Sequence, residues 1–194
     1  MTAATSRRRP LGQLVQRYHA HDAEGRRHAT AVARIAVEIG RDLRLSRPEL
    51  VSLTIGALVH DIGKLAVPAP LLETPRHLTE DEWQIVRAHP AAGESLVSGY
   101  LRHPSVRAIV RSHHERMDGL GYPDGLRGDA IPLVARIVAV ADAFDAMVAE
   151  RPYAPARTPA DALAEAYACA GQQFDPECVA RLEAIVLPGR LAAA

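Results

Sequence analysis

Lysine is nearly absent from this chain: a single one, Lys64, stands among 23 basic residues in a length of 194. Cysteine is scarce too. Cys169 and Cys178 lie nine positions apart in a spacing that matches no zinc pattern, so both read as small buried apolar residues. An excess of one charge is also missing, because 23 acidic residues balance the basic ones, which argues against a nucleic-acid-binding protein. The triplet Arg7-Arg8-Arg9 supplies few phosphate contacts and reads as a solvated tail. No apolar run approaches the ~20 residues that span a bilayer, and the start lacks the apolar stretch of a signal peptide. The chain is expected to be soluble and cytoplasmic. With no internal repeat or low-complexity linker, the length fits one domain able to bury its own core.

Helix signals fill the chain, and strand signals are almost missing. From Glu24 to Leu43, Val32, Ile35, Ala36, Ile39 and Leu43 recur at three- and four-residue steps, the stripe of an amphipathic helix. A second helix runs from about Pro48 into His60. Thr79 with Glu82 forms a capping-box start for a helix through Trp83, Ile85 and Val86, which Pro90 either interrupts or follows by opening the next. Val106, Ile109 and Val110 lead into His113 and His114. Gly119, Gly121, Pro123, Gly125 and Gly128 then predict an irregular but ordered loop before an apolar helix from Leu133 to about Ala149. Thr158-Pro159 and Asp175-Pro176 each pair an N-cap with a proline at the first helical position. The fold class expected is all-α. Ahead of it, Leu11, Leu14, Val15 and Tyr18 share one helical face, able to pack on the domain or pair with a second copy.

The lone lysine sits in the run His60-Asp61-Ile62-Gly63-Lys64, where a compact ammonium is kept although the chain otherwise uses arginine. An ammonium beside a His-Asp pair suggests a metal site that handles phosphate. His89, His113 and His114 lie at helix ends or helix-to-loop junctions, His28 near a helix start, and Asp142 on the apolar helix that begins at Leu133. His19, His21, His77 and His103 read as ordinary polar or loop residues. Hydrolysis of a phosphodiester needs a nucleophilic water at neutral pH, and a metal ion lowers the water's pKa enough to supply hydroxide. A carboxylate such as Asp61 can bridge two ions. Glu24 precedes His28 by four residues, so both face the same side of a helix and could share an ion. Imidazole and carboxylate without thiolate suit iron or manganese, with zinc also open.

In order, the chain carries His60-Asp61-Ile62-Gly63-Lys64, His89-Pro90, His113-His114-Glu115-Arg116-Met117-Asp118-Gly119-Leu120-Gly121-Tyr122-Pro123, Ala141-Asp142-Ala143-Phe144-Asp145 and Arg151-Pro152-Tyr153. This series resembles an HD-GYP domain, a branch of the HD superfamily of metal-dependent phosphohydrolases, over 22–187. The segments 1–21, with its short helix, and 188–194 would be tails. The resemblance implies a helical bundle with the Gly/Pro-rich loop over the metal site. Its activity would be hydrolysis of cyclic di-GMP to pGpG, with GMP as a further product. It also implies that His60 and Asp142 complete one metal site around Asp61 and that His89, His113 and His114 complete the other. Glu24 with His28 would accompany a third ion.

Lys64, one helical turn after His60, would neutralise charge on the phosphate, or else serve a structural salt bridge. Asp145 would orient a ligand histidine or Lys64. Gly121 lets backbone approach a ligand, while Tyr122 and Arg151 would contact substrate. Two positions depart from the family pattern. Ala154 stands where a basic residue commonly follows Arg-Pro-Tyr, with Arg157 three residues on, and Ala31 replaces an arginine often found after the first histidine. Alternatives are a low-activity cyclic-dinucleotide sensor or signalling module, and an HD phosphohydrolase acting on another nucleotide. The segment before Asp22 is too short to fold as a sensor domain, so either activity is set by metal, substrate and expression, or a signalling protein acts in trans. Neither a nucleic acid polymer nor a membrane is expected as a partner.

Overall fold

The computed structural model describes residues 11–21, 25–74, 76–150 and 156–187. Ten α-helices run through them: α1 (Leu11–His21), α2 (Gly25–Asp42), α3 (Arg47–Val59), α4 (Ala69–Leu72), α5 (Glu80–Arg87), α6 (His89–Ser98), α7 (Pro104–Ser112), α8 (Leu133–Val148), α9 (Pro159–Ala168) and α10 (Pro176–Val186). Two 3-10 turns, Ile62–Ala66 and Gly128–Ala130, join them. Among the described residues no strand forms beyond one isolated bridge between Ala170 and Phe174, so the all-α expectation holds. The runs Asp22-Ala23-Glu24 and Arg151-Pro152-Tyr153, with Ala154 and Arg7-Arg8-Arg9, lie outside the described residues.

The apolar stripe of α2 is the spine of the larger core. Val32, Ile35, Ala36 and Ile39 are buried against Leu53 and Ala57 of α3, the buried face of α8, and Val179 and Leu182 of α10. Each fully buried aliphatic side chain of this kind contributes roughly 1.5–3 kcal/mol. A second apolar cluster collects Leu14 and Tyr18 of α1 with Val59, Ile62, Val97, Val106 and Val110. Leu14, Val15 and Tyr18 of the α1 face noted in the sequence therefore pack on the chain's own domain.

Local signals act as expected at most helix ends. Thr79 accepts from the Glu82 amide at 3.3 Å while the Glu82 carboxylate accepts from the Thr79 amide at 2.9 Å, completing the capping box. Thr158 accepts from the Asp161 amide, and Asp175 from the Glu177 amide. Pro90 opens α6 rather than interrupting α5. The 3-10 turn after Asp61 and the four-residue α4 were not anticipated, because neither is long enough to show a period. One reading needs correction. Cys178 is fully buried, but Cys169 at the end of α9 is only half-buried, since a residue at a helix terminus has solvent on one side.

Two glycines set the approach of the 3-10 turn to α6. A Cβ on Gly63 would stand 1.8 Å from the carbonyl oxygen of His89, and one on Gly93 would stand 2.8 Å from Val110 Cγ1. Backbone therefore packs on backbone here, a contact that any side chain at Gly63 would prevent. It brings the segment carrying Asp61 and Lys64 directly onto the first turn of α6, where His89 sits.

Candidate metal centre

Three histidines reach the centre from the ends of three helices, and each is held the same way. His60 Nδ1 lies 2.7 Å from the Ala57 carbonyl, His89 Nδ1 2.8 Å from that of Val86, and His113 Nδ1 3.0 Å from that of Val110. The last carbonyls of a helix lack intrahelical donors, so a following imidazole can fold back and donate to them. A carbonyl only accepts, so in the neutral ring the proton sits on Nδ1 and Nε2 presents a lone pair.

Those lone pairs converge on Asp61. Its Oδ1 stands 3.1 Å from His89 Nε2 and 3.8 Å from His113 Nε2, while its Oδ2 stands 3.4 Å from His60 Nε2 and 2.5 Å from Lys64 Nζ. His60 Nε2 and Asp61 Oδ1 are buried and have no hydrogen-bond partner among the described residues. Buried acceptors facing one another are costly unless a cation lies between them, and nitrogen held through its second ring atom is the usual state of a metal-binding histidine. The donor set therefore fits divalent ions. It divides into two groups whose ligand atoms lie within 4.8 Å of one another: Asp61, His89, His113 and His114, and beside them His28, His60 and Asp142.

His28 occupies a place the sequence reading gave it only with Glu24. Its Nε2 lies 2.9 Å from Asp142 Oδ1, and its Nδ1 lies 2.7 Å from Asp145 Oδ2. Asp145 thus holds the His28 ring in place. Glu24 and Arg151 lie outside the described residues.

Electrostatics differ across the centre. Burial, reinforced by the neighbouring histidines, holds His113 and His114 below the usual imidazole range, so both are neutral at pH 7. Burial also opposes ionisation of Asp61 and Asp142, yet Lys64 and His60 around the first, and His28 and His60 around the second, hold both carboxylates well below their ordinary range.

Beside the clusters opens a cleft of about 470 Å³, lined by His113, His114, Asp142, Gly121 and Tyr122. Such a volume falls in the roughly 300–1,000 Å³ range of small-molecule sites. Tyr122 stacks on His114, with ring centroids 4.9 Å apart and planes 30° from parallel. Gly121 is required there, because a Cβ would stand 2.4 Å from the Arg116 amide nitrogen. Buried Glu115 ties down the rest of the loop, accepting from the Asp124 and Leu126 amides at 2.7 and 3.0 Å. Arg87, Arg116 and Gln173 also line the cleft and were missed in the sequence. Only the burial of Glu115 next to two ligand-type histidines marks that wall, and burial is not visible in the sequence. Arg157, the possible substitute for a basic residue at 154, is engaged by Glu165 at 2.8 Å.

No helix among the described residues is long and apolar enough to cross a membrane. The family model described as HD domain matches residues 5–178. Among curated relatives, the cyclic di-GMP phosphodiesterase response regulator RpfG of Xanthomonas campestris is 44% identical over 89% of this chain and 46% of its own length. The 3'3'-cGAMP-specific phosphodiesterase 3 of Vibrio cholerae is 40% identical over 80% of this chain and 34% of its own. The chain thus spans less than half the length of these relatives. Its fold matches that of a cyclic GMP-AMP-specific phosphodiesterase of V. cholerae, with a TM-score of 0.70 and 25% identity over 93% of this chain and 49% of that one. It also matches Bd1817, an HDG"Y"P protein of Bdellovibrio bacteriovorus, with a TM-score of 0.68 and 22% identity over 84% and 52%. The chain belongs to the HD domain family, in the HD-GYP branch that its motif series resembles.

Proposed function

We propose that this domain hydrolyses a phosphodiester of a cyclic dinucleotide, cyclic di-GMP in the first place, to pGpG with GMP as a further product. The observation that carries this proposal is the pair of adjacent donor groups, Asp61, His89, His113 and His114 in one and His28, His60 and Asp142 in the other, of which His113, His114 and Asp142 line a cleft. His28, His60, Asp61 and Asp142 would hold one ion, and Asp61, His89, His113 and His114 the other. Glu24, four residues before His28, is the candidate ligand for a third. Iron or manganese suits nitrogen and carboxylate ligands without thiolate. When bound, the ions supply Lewis acidity toward the phosphodiester and lower the pKa of water.

The chain's own groups do the rest. Asp61 engages both donor groups through different oxygens, which fixes the spacing between them. Lys64, held on Asp61 Oδ2, sets an ammonium beside the centre, where it would balance charge developing on non-bridging phosphate oxygens. Burial first, then the charges of Asp61 and Asp142, push the Tyr122 hydroxyl well above the usual phenol range. It keeps its proton and would donate to a phosphate oxygen. Gly121 and Tyr122 would close one side over the substrate, with Arg151 as a further contact. The relatives named for cyclic di-GMP and 3'3'-cGAMP support this substrate class.

The test is turnover of cyclic di-GMP by protein purified without oxygen, with bound metals counted and iron and manganese each added back. Metal-dependent release of pGpG or GMP is expected. Nucleotide retained by metal-loaded protein without product would instead indicate a sensor, and neither binding nor product would point to another nucleotide.

A further inference from the structure

One stretch of the cleft wall carries polar groups that the chemistry above does not use. Arg116 and Gln173 both line it, and they are locked together. Arg116 Nη1 donates to Gln173 Oε1 at 3.1 Å, while its Nε and Nη2 donate to Asp118 at 3.1 and 2.6 Å. An arginine only donates, so the carbonyl end of the Gln173 amide must face it. The amide is therefore fixed in orientation, and its two N–H donors have no partner among the described residues. The carboxylates nearby are engaged already. Asp118 is taken up by Arg116 and the Leu120 amide, and Glu115 by two loop amides. Ala139, Ala143 and Phe174 give this stretch an apolar flank suited to a ring.

A wall that offers donors discriminates between purines. Guanine presents two acceptors, O6 and N7, along one edge, whereas adenine presents N7 beside an N6 amino donor. Resting on the cyclic-dinucleotide reading above, we propose that Gln173, oriented by Arg116, is the specificity-determining residue that selects guanine by donating to its O6/N7 edge. Adenine in the same place keeps N7 as an acceptor but sets its N6 amino group against the second amide donor and leaves those two unpaired, at a cost of about tenfold or more in binding. One guanine suffices for this contact, so a mixed guanine-adenine cyclic dinucleotide is accepted and cyclic di-AMP is disfavoured.

The experiment compares initial rates on cyclic di-GMP, cyclic di-IMP and cyclic di-AMP for the metal-loaded chain and for Gln173→Met, with metal content measured for both. Inosine keeps O6 and N7 and lacks only the 2-amino group. Cyclic di-IMP is therefore expected to match cyclic di-GMP within about threefold, with cyclic di-AMP slower by about tenfold or more. Gln173→Met removes the amide at similar length and should narrow the guanine-to-adenine ratio about tenfold without loss of metal. Equal rates on cyclic di-AMP, an unchanged ratio in Gln173→Met, or failure of cyclic di-IMP would each overturn the assignment. The cyclic di-IMP comparison needs only the unaltered protein, so it can overturn readout of the O6/N7 edge even if the variant does not fold. If no cyclic dinucleotide is cleaved, the phosphodiesterase proposal fails by itself. Equilibrium dialysis of GMP, IMP and AMP then separates the two: a preference for GMP and IMP keeps the guanine assignment, and its absence ends it.

Discussion

Both ring nitrogens of His28 face carboxylates, Asp142 on one side and Asp145 on the other. Burial works against a charged ring here, but the hydrogen bonds and charges of the two aspartates prevail and raise its pKa to about 9. In the ion-free protein this ring is therefore protonated at pH 7. An ion held by His28 as proposed would displace the proton on Nε2, while Asp145 keeps the one on Nδ1, so loading at pH 7 should release a proton measurable in weakly buffered solution. Asp145→Asn keeps the shape and removes the charged anchor. Loss of an outer carboxylate of this kind costs about 10–100-fold in metal affinity, which metal titration of the variant would check. Lys64→Arg should keep bound metal and nucleotide affinity but lower the maximal rate, because a planar fork cannot take the place of a compact ammonium. An unchanged rate would leave Lys64 as a salt-bridge partner of Asp61 alone.

Among the elements, the 3-10 turn depends most on a single atom that is missing. Gly63→Ala would force a Cβ to 1.8 Å from the His89 carbonyl oxygen, so the turn and α6 must separate. The expected loss is about 3 kcal/mol, with weakened metal binding, read by denaturant unfolding and metal analysis. Gly12→Ala in α1 is the control. Nothing lies within 4 Å of its added Cβ, and helix propensity predicts a gain of about 0.5–1 kcal/mol. The start of α5 is sensitive to pH. A hydrogen bond from Arg76, then the Thr79 amide, lowers the Glu82 carboxyl to about 2 from 4.5. Its folded value is depressed, so its stabilising effect is complete above about pH 4.5 and is lost as pH falls through 2. A carboxylate NMR titration should find that midpoint near 2, and Arg76→Gln should move it upward.

Across the whole molecule, candidate ligands drawn from α2, α3, the turn after it, α6, α7 and α8 meet at one place. An ion bound there ties together elements far apart in the chain. At a free ion concentration about 100-fold above the dissociation constant, the gain is about 2.7 kcal/mol. For a domain of this size, chelation should then lower Tm by about 5–10 °C in a thermal scan. Most of this architecture was legible in the sequence. The stripe of α2, the capping box at Thr79 and the proline starts of α9 and α10 are local signals, and the His-Asp series fixed the candidate ligands. Three things were not legible. The 3-10 turn and α4 are too short to carry a period. The partnership of His28 with Asp142 and Asp145 joins positions more than a hundred residues apart. Gln173 is one of two adjacent glutamines with no spacing signal, and only Arg116 gives its amide an orientation. The aim of His60, His89 and His113 comes from main-chain carbonyls and not from side chains. Mutational drift among the surrounding residues therefore leaves the donor directions intact for as long as three helices end where they do.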